Sequence, residues 1–218
     1  MIDTHVRDGS GAVHLLQRAQ GAFQKWPEGF AGFRARARCR ALDREAVGTI
    51  RVTPGPRVEA RLGDPDLARL VEAALREIAE ARTPRFFKDG DGRFPIMLAA
   101  DAGDGVDRAV VVQRPEGRVV YWIDAAGRMQ REEREAGGML TVTTFEEFAR
   151  ATPGRRLPTR FARVVSEQTT GRLLVRETVA DSHVRLDHVW LPAYRSISSV
   201  QVDIGQRVLI ELDRHALV

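Results

Sequence analysis

Apolar and polar residues repeat with two different periods along the chain, and together these periods predict two helices and many strands. Apolar residues fall on one face at helical spacing over residues 11–25, and again over residues 65–82. The second of these segments opens with Asp64 and Pro65. Aspartate caps the first free amides of a helix and proline fits its first turn, so we expect a well-defined start there. The pattern predicts helices at about 11–25 and 65–82.

Most of the remaining chain alternates between apolar and polar residues, which is typical of strands. The clearest case is "FRARARCRA" (33–41), where small apolar residues alternate with arginines. After residue 82, similar segments follow at intervals of about 8–14 residues, separated by turns rich in Gly, Asp and Pro. Strands and helices do not alternate, which argues against a parallel sheet. The sequence predicts one α+β domain over 1–218, a highly curved antiparallel sheet of about nine to eleven strands. The two helices are expected on its concave side, and residues 1–10 as a flexible N-terminus.

Composition and charge narrow the class of protein. Apolar residues make up 43% of 218 residues, enough for a sizeable core. The net charge is +4, but the 30 acidic residues are spread among the 34 basic ones and no basic block stands out, so nucleic-acid binding is not expected. No apolar run approaches the roughly 20 residues of a membrane span. The first residues do not resemble a signal peptide, so we expect a cytoplasmic protein.

Neither a metal nor a cofactor is expected. "KDGDGRFPIMLA" begins like a calcium loop with Asp89 and Asp91, but Arg93 and Ala100 occupy ligand positions five and twelve. We interpret this segment, and the acidic stretch "DAGDGVD", as surface turns. Cys39 is the single cysteine, so neither an internal disulfide nor a cysteine cluster can form. Its arginine neighbours could lower the pKa of the thiol, but a half-buried strand residue is the simpler interpretation.

The segment "DSHVRLDHVW" (181–190) combines two histidines, two aspartates, an arginine and a tryptophan within ten positions. Read as one strand, it has two faces because side chains alternate. The first face is a charged row expected to meet water: His183, Arg185 and Asp187. The second face is largely apolar: Val184, Leu186, His188 and Trp190. His188 therefore points either into the core or into an apolar pocket, where a polar group would orient a ligand.

Three functions fit these patterns. The first is a non-enzymatic protein that holds a small apolar ligand, such as a lipid, a pigment or an isoprenoid, between sheet and helices. The candidate ligand-binding residues are Trp122, His188 and Trp190; Tyr121 faces the side opposite to Trp122, so only one of these two can point inward. The second function is a hydrolase or isomerase that uses His188 or His183 with an acidic residue. The third is a structural or protein-interaction module that binds through a sheet edge or the arginine face.

Two stretches together resemble a family of uncharacterised proteins of about this length from cyanobacteria, other bacteria and plastids. They are "FQKWPEGFAGFRARARCRALDREAVGTIRV" and "VADSHVRLDHVWLPAYRSI". The likeness extends from about Val13 to Leu212. That family has no established activity, so the resemblance implies no functional residues.

A more distant likeness is to the fold of periplasmic lipoprotein carriers. It rests on the N-terminal helix, the segment "GTIRVTPGP" and a late "WLP" before a strand. The resemblance implies an incomplete antiparallel barrel with helices over an apolar concave face, and a lipid-like ligand. The lack of a visible signal peptide argues against lipoprotein transport itself.

Overall fold

The computed structural model describes residues 9–53, 55–99, 107–201 and 204–218. The predicted flexible N-terminus, apart from its last two residues, and nearly all of "DAGDGVD" lie outside this part of the chain. The helices are α1 (Gly9–Gly21) and α2 (Pro65–Arg82). The strands are β1 (Phe33–Ala41), β2 (Arg44–Thr53), β3 (Arg57–Leu62), β4 (Ile96–Leu98), β5 (Arg108–Arg114), β6 (Gly117–Ile123), β7 (Met129–Ala136), β8 (Met139–Arg150), β9 (Arg156–Glu167), β10 (Leu173–Leu186), β11 (Val189–Gln201) and β12 (Ile204–Leu217).

The strands form one antiparallel sheet that does not close. Hydrogen-bonded neighbours follow the order β3-β2-β1-β12-β11-β10-β9-β8-β7-β6-β5-β4, so β3 and β4 are its edges. Most neighbours are also consecutive in sequence and form hairpins, as the short spacing of the strands predicts. The α+β class, the open antiparallel sheet and the two helices are confirmed. Within the described residues the sheet has twelve strands, where the sequence suggested nine to eleven.

Helix α2 has the predicted bounds, whereas α1 is shorter than expected. Asp64 caps α2 and accepts hydrogen bonds from the amides of Asp66 (2.9 Å) and Leu67 (3.2 Å). Helix α1 ends at Gly21 instead of residue 25. Directly afterwards, the carbonyl of Ala22 accepts a hydrogen bond from the amide of Arg156 in β9, at 2.9 Å. This pairing draws the chain into an extended conformation and ends the helix.

The chain divides into two compact units. The described residues of unit 1 lie within 9–23 and 85–177, and include α1, β4–β9 and the first part of β10. Unit 2 consists of 24–84 and 178–218, and includes α2, β1–β3, the end of β10, β11 and β12. Each unit has its own helix and its own buried apolar cluster.

Unit 2 buries the apolar side of β1 beneath α2. Phe33, Ala35, Ala37, Cys39 and Ala41 are buried, while the arginines between them lie on the other face of the strand. This is the alternation that the sequence predicts. On the arginine face, Glu45 and Glu211 lie within 4.0 Å of arginine side chains of β1. Burial raises the pKa of the Cys39 thiol to about 11, with a smaller contribution from the charge of Asp64, so the thiol is protonated and unreactive at neutral pH.

Unit 1 packs α1 against β4 and β6. Its buried cluster joins four helix residues to residues of β5–β7: Ala12, Leu15, Leu16, Ala19, Val110, Val112, Val119, Tyr121, Ile123 and Met129. Asp91 reaches this core from a 3-10 turn (Asp91–Arg93). It is 5% exposed and accepts hydrogen bonds from Tyr121 (2.7 Å) and Gln20 (2.6 Å) as well as from Arg114. The sequence-based interpretation of this segment as a surface turn is wrong for Asp91, because its carboxylate anchors the turn to the core.

Candidate functional site

Trp122 lies on the face of β6 that points away from α1. Its neighbour Tyr121 is 3% exposed within the cluster under α1, so the strand alternation places Tyr121 on the helix side. Trp122 is half-buried beside Val111 and Val120, and its indole Nε1 donates a hydrogen bond to Glu133 Oε1 at 2.8 Å. The helix-facing aromatic residue of this strand is therefore Tyr121, and Trp122 does not face the space between β6 and α1.

The segment "DSHVRLDHVW" is the tip of a hairpin and not one strand. Strand β10 ends at Leu186, Asp187 adopts a positive φ of 52°, and β11 begins at Val189. His188 is exposed in the turn. The expected face that joins Val184, Leu186, His188 and Trp190 is wrong, because the turn interrupts the alternation. Aspartate tolerates positive φ better than most residues, and this was the property that could have indicated the turn.

Trp190 and His183 are both half-buried, which differs from what a single strand would give them. Val189 and Leu191 are buried in the cluster under α2, so alternation along β11 places Trp190 on the opposite face. The indole nitrogen of Trp190 is nevertheless buried and has no hydrogen-bond partner among the described residues. His183, expected to meet water, is half-buried, and its Nδ1 is likewise buried without a partner in the described part of the chain.

His183 belongs to a group of charged and polar side chains in unit 2, which we call the arginine cluster. Its members come from α2, β10 and β11: Glu77, Arg82, Asp181, His183 and Arg195. Arg195 and Asp181 form a two-pronged ion pair, with Nε to Oδ1 at 2.8 Å and Nη2 to Oδ2 at 2.7 Å. Their side chains are 4% and 6% exposed. Arg195 Nη1 also donates to the carbonyl of Ala74 in α2 (3.1 Å) and to Glu77 (3.3 Å). This pair fastens α2 to β10 and β11.

Arg82, in the last turn of α2, is also buried, with only 5% of its surface exposed. Its contacts differ from those of Arg195. Its Nη2 donates to the carbonyl of Trp190 at 3.0 Å, and its guanidinium lies 5.7 Å from the centre of the Trp26 ring. The same carbonyl accepts a hydrogen bond from the indole of Trp26 at 3.2 Å. Nε and Nη1 of Arg82 are buried without a hydrogen-bond partner among the described residues. Burial lowers the pKa of Arg82 to about 10, so the side chain stays charged at neutral pH.

The environment of His183 is positive and poorly solvated. Burial, with smaller contributions from the charges of Arg82 and Arg195, lowers the pKa of His183 to about 4. The imidazole is therefore neutral at pH 7. In the described part of the chain, no hydrogen bond joins a carboxylate to His183 or to His188.

The helix side of unit 1 carries a second notable group, the phenylalanine cluster (Phe23, Phe145, Phe148 and Phe161). The ring centres of Phe145 lie 5.5 Å from Phe23, 5.9 Å from Phe148 and 6.3 Å from Phe161. Phe161 is buried, whereas the other three rings are only half-buried. Arg156 lies over the Phe148 ring at 5.7 Å and Arg163 over the Phe161 ring at 5.8 Å. The result is an aromatic surface bordered by guanidinium groups.

Two surface cavities of unit 1 do not include any of the predicted ligand-binding residues. One, of about 500 Å³, is bordered by His14, Arg18 and Arg108; the other, of about 550 Å³, is bordered by Glu116, Arg118 and other residues. In the described part of the chain, no group of three or more His, Cys, Asp or Glu side chains is placed to hold a metal ion. No described helix combines the length and the apolar character needed to cross a membrane.

A family model named "Protein of unknown function (DUF3386)" matches residues 7–212. The chain belongs to the DUF3386 family. This confirms the resemblance to an uncharacterised family, over nearly the span that the sequence indicated. No curated protein matches the DUF3386 chain.

Among solved structures, the chain is similar to a domain described as an outer membrane lipoprotein-sorting protein from Vibrio parahaemolyticus. The identity is 10%, the TM-score 0.34, and the match covers 96% of this chain and 93% of that one. A DUF1329 family protein from Desulfovibrio piger matches with 7% identity and a TM-score of 0.31, over 96% of this chain and 92% of that one. The first belongs to the class whose fold the sequence resembles. TM-scores this low transfer no property of those proteins to the DUF3386 chain.

Proposed function

We propose that this protein is a non-enzymatic binding protein for an apolar ligand of the lipid class, and that the phenylalanine cluster is its contact surface. The observation that carries the proposal is the mutual packing of four phenylalanine rings, three of them only half-buried. Isolated exposed apolar residues are common on proteins, but a contiguous aromatic group marks an interaction surface.

The position of the cluster supports a ligand. Helix α1 ends at Gly21, and Phe23 forms a bridge with Arg156 in β9 just beyond that end. Phe145 and Phe23 pack against the buried cluster under α1. The aromatic surface thus continues the apolar core of unit 1 past the end of its helix and along β8 and β9. An apolar chain bound there would extend the existing core.

The two arginines indicate the chemistry of one end of the ligand. Arg156 lies over the half-buried ring of Phe148 and Arg163 over the buried ring of Phe161. Arg163 also lies 3.3 Å from Glu177. Guanidinium groups beside an aromatic surface favour a ligand whose apolar chain ends in an acidic group. Lipids and isoprenoids with a carboxylate or phosphate end fit this description, and neutral hydrocarbons do so less well.

Binding of cis-parinaric acid, a fluorescent fatty acid, tests the proposal. Each substitution Phe145→Ala and Phe148→Ala is expected to weaken binding by about tenfold or more, since a contacting aromatic side chain contributes about 1.5–3 kcal/mol. Phe86→Ala is the matched control, because Phe86 is 66% exposed and lies outside the cluster. The methyl ester of the probe is expected to bind more weakly than the acid. Absence of binding, or equal affinity in all three variants, would show that the cluster is only the margin of the core.

A further inference from the structure

Arg82 is a buried guanidinium to which no carboxylate is paired in the described part of the chain. It is 5% exposed, and its polar contacts are one backbone carbonyl and one aromatic ring. Two of its three nitrogens have no hydrogen-bond partner there. A buried charge is costly unless a counter-charge and hydrogen bonds compensate it. An occupant with a negative charge would supply both.

The nearby carboxylates are engaged elsewhere. Asp181 holds Arg195 through both of its oxygens, and Glu77, which is 37% exposed, lies on the same guanidinium. His183 lies two residues after Asp181 on β10 and therefore on the same face, the one that contacts α2 through Arg195 and the Ala74 carbonyl. Its Nδ1 is buried and has no hydrogen-bond partner among the described residues. Within the arginine cluster, the carboxylates therefore neutralise Arg195 and not Arg82. Buried nitrogen atoms of Arg82 and His183 are left without a hydrogen-bond partner among the described residues.

We propose that Arg82 and His183 form a binding site for a carboxylate anion. Nε and Nη1 of Arg82 supply charged donors, and His183 adds a second donor when it is protonated. The unused atoms are almost fully buried, so the bound anion loses most of its hydration. This loss favours a monovalent carboxylate over a phosphate dianion, whose dehydration is more costly. Arg82 lies in the last turn of α2, where helices open most readily, so entry requires only local movement.

The site consists of unit 2 residues only, and its test does not depend on the phenylalanine cluster. Binding is expected to be linked to the ionisation of His183. An anion beside Arg82 offsets the positive charge that acts on the imidazole, so it raises the pKa of His183 from about 4. By the same linkage, the affinity for the anion increases as the pH falls toward that value. The charged groups that act on this equilibrium are Arg82 and Arg195, and the carboxylates of Asp181 and Glu77 are paired with Arg195.

Histidine side-chain NMR of ¹⁵N-labelled protein measures this linkage directly, with the other histidines as internal references. Sodium acetate and sodium octanoate are titrated at constant ionic strength, and octanol serves as the uncharged probe. At about pH 6, where both carboxylic acids are ionised, we expect the carboxylates to shift the His183 signals saturably toward the protonated imidazole, which reports a rise of its pKa, and octanol to leave them unchanged. If acetate alone produces the response, a carboxylate group is sufficient for binding. If only octanoate produces it, the site requires a carboxylate attached to an apolar chain.

Two variants separate the site from general effects of the anion. Arg82→Met is expected to weaken the response by about tenfold or more, the loss of a charged hydrogen bond. Arg185→Met is the matched control, because Arg185 is exposed on the same strand as His183 and contacts the carbonyl of Asp187. An unchanged pKa of His183 in the wild-type protein overturns the proposal, as does an equal rise in Arg82→Met. The wild-type titration decides the matter even where Arg82→Met does not fold.

Discussion

Replacing Asp181 with Asn tests whether the ion pair with Arg195 holds unit 2 together. The substitution keeps the shape of the side chain and removes its charge. Arg195 then retains the Ala74 carbonyl at 3.1 Å and Glu77 at 3.3 Å, but loses a carboxylate that contacts it through two hydrogen bonds. Both partners are almost fully buried, at 4% and 6% exposure. The variant therefore leaves an incompletely compensated charge in the interior.

The expected loss follows from that burial. Breaking a buried ion pair by removing one partner costs about 3–5 kcal/mol. The side-chain amide in Asp181→Asn would still offer one acceptor and Glu77 stays nearby, so we expect the lower end of that range, about 3 kcal/mol. In a protein of this size 1 kcal/mol shifts the melting temperature by about 2–4 °C, so Asp181→Asn is expected to lower Tm by about 6–12 °C. Burial lowers the pKa of Arg195, and in the native protein the hydrogen bonds and charges of Asp181 and Glu77 outweigh this effect. Without the Asp181 carboxylate the guanidinium still keeps its proton at neutral pH, so Arg195 stays charged in the variant.

Urea unfolding followed by circular dichroism and tryptophan fluorescence measures the loss. Two of the three tryptophans, Trp26 and Trp190, belong to unit 2, so the fluorescence change reports mainly on the unit that contains the pair. Glu77→Gln is the control, because Glu77 contacts the same guanidinium but is 37% exposed; we expect a change below about 1 kcal/mol. If Asp181→Asn costs no more than Glu77→Gln, then solvent reaches the pair in solution and its stabilising role is refuted.

Three further changes test other parts of the structure. Asp91→Ala removes the shared acceptor of three side chains in unit 1 and is expected to cost about 3 kcal/mol in urea unfolding; a loss below about 1 kcal/mol would contradict its anchoring role. Gly117→Ala is expected to cost about 1–3 kcal/mol, because φ is +149° and the new Cβ would lie 1.8 Å from the carbonyl oxygen of Glu135, whereas Gly205→Ala meets open space and should be neutral. The folded pKa of His183 lies below its ordinary value, so the unfolded chain binds the proton first and stability should fall between about pH 6.5 and 4. His183→Gln should flatten this part of the stability curve, and an unchanged slope would argue against a buried neutral imidazole.

Patterns that depend on neighbours in sequence were predictable. Helix α2 has the bounds indicated by Asp64, Pro65 and its apolar period, because capping and amphipathicity act within a few residues. The alternation of β1 likewise placed its arginines on the outer face. The end of α1 was not predictable in this way, since the partner that draws Ala22 out of the helix is Arg156. A contact between residues so far apart in the chain leaves no signal in the local sequence pattern.

The candidate site likewise combines a feature that was predictable from local sequence with contacts that were not. The stripe of α2 that contains Val71, Leu75 and Ile78 continues to Arg82, four residues after Ile78, so the helical period already placed this arginine on the buried side. A charged residue at the end of an apolar stripe was therefore a usable indication of a site. What sequence could not supply was the identity of the groups facing it, because Asp181, His183 and Arg195 approach from β10 and β11.

The position of His188 follows from one backbone angle, whereas the burial of His183 follows from the side of β10 that faces α2. Had residues 181–190 formed a continuous strand, His188 would have joined the apolar face and His183 the solvent. The positive φ of Asp187 folds the segment back on itself, which leaves His188 in an exposed turn. His183 precedes this turn in β10 and is half-buried, where the charges of Arg82 and Arg195 act on it. A histidine in that position is held neutral, and its proton affinity responds to any negative charge that reaches Arg82. The candidate chemistry of the polar segment thus lies in its first half. There His183, with its unpartnered imidazole nitrogen, belongs to the same cluster as the buried guanidinium of Arg82 from α2.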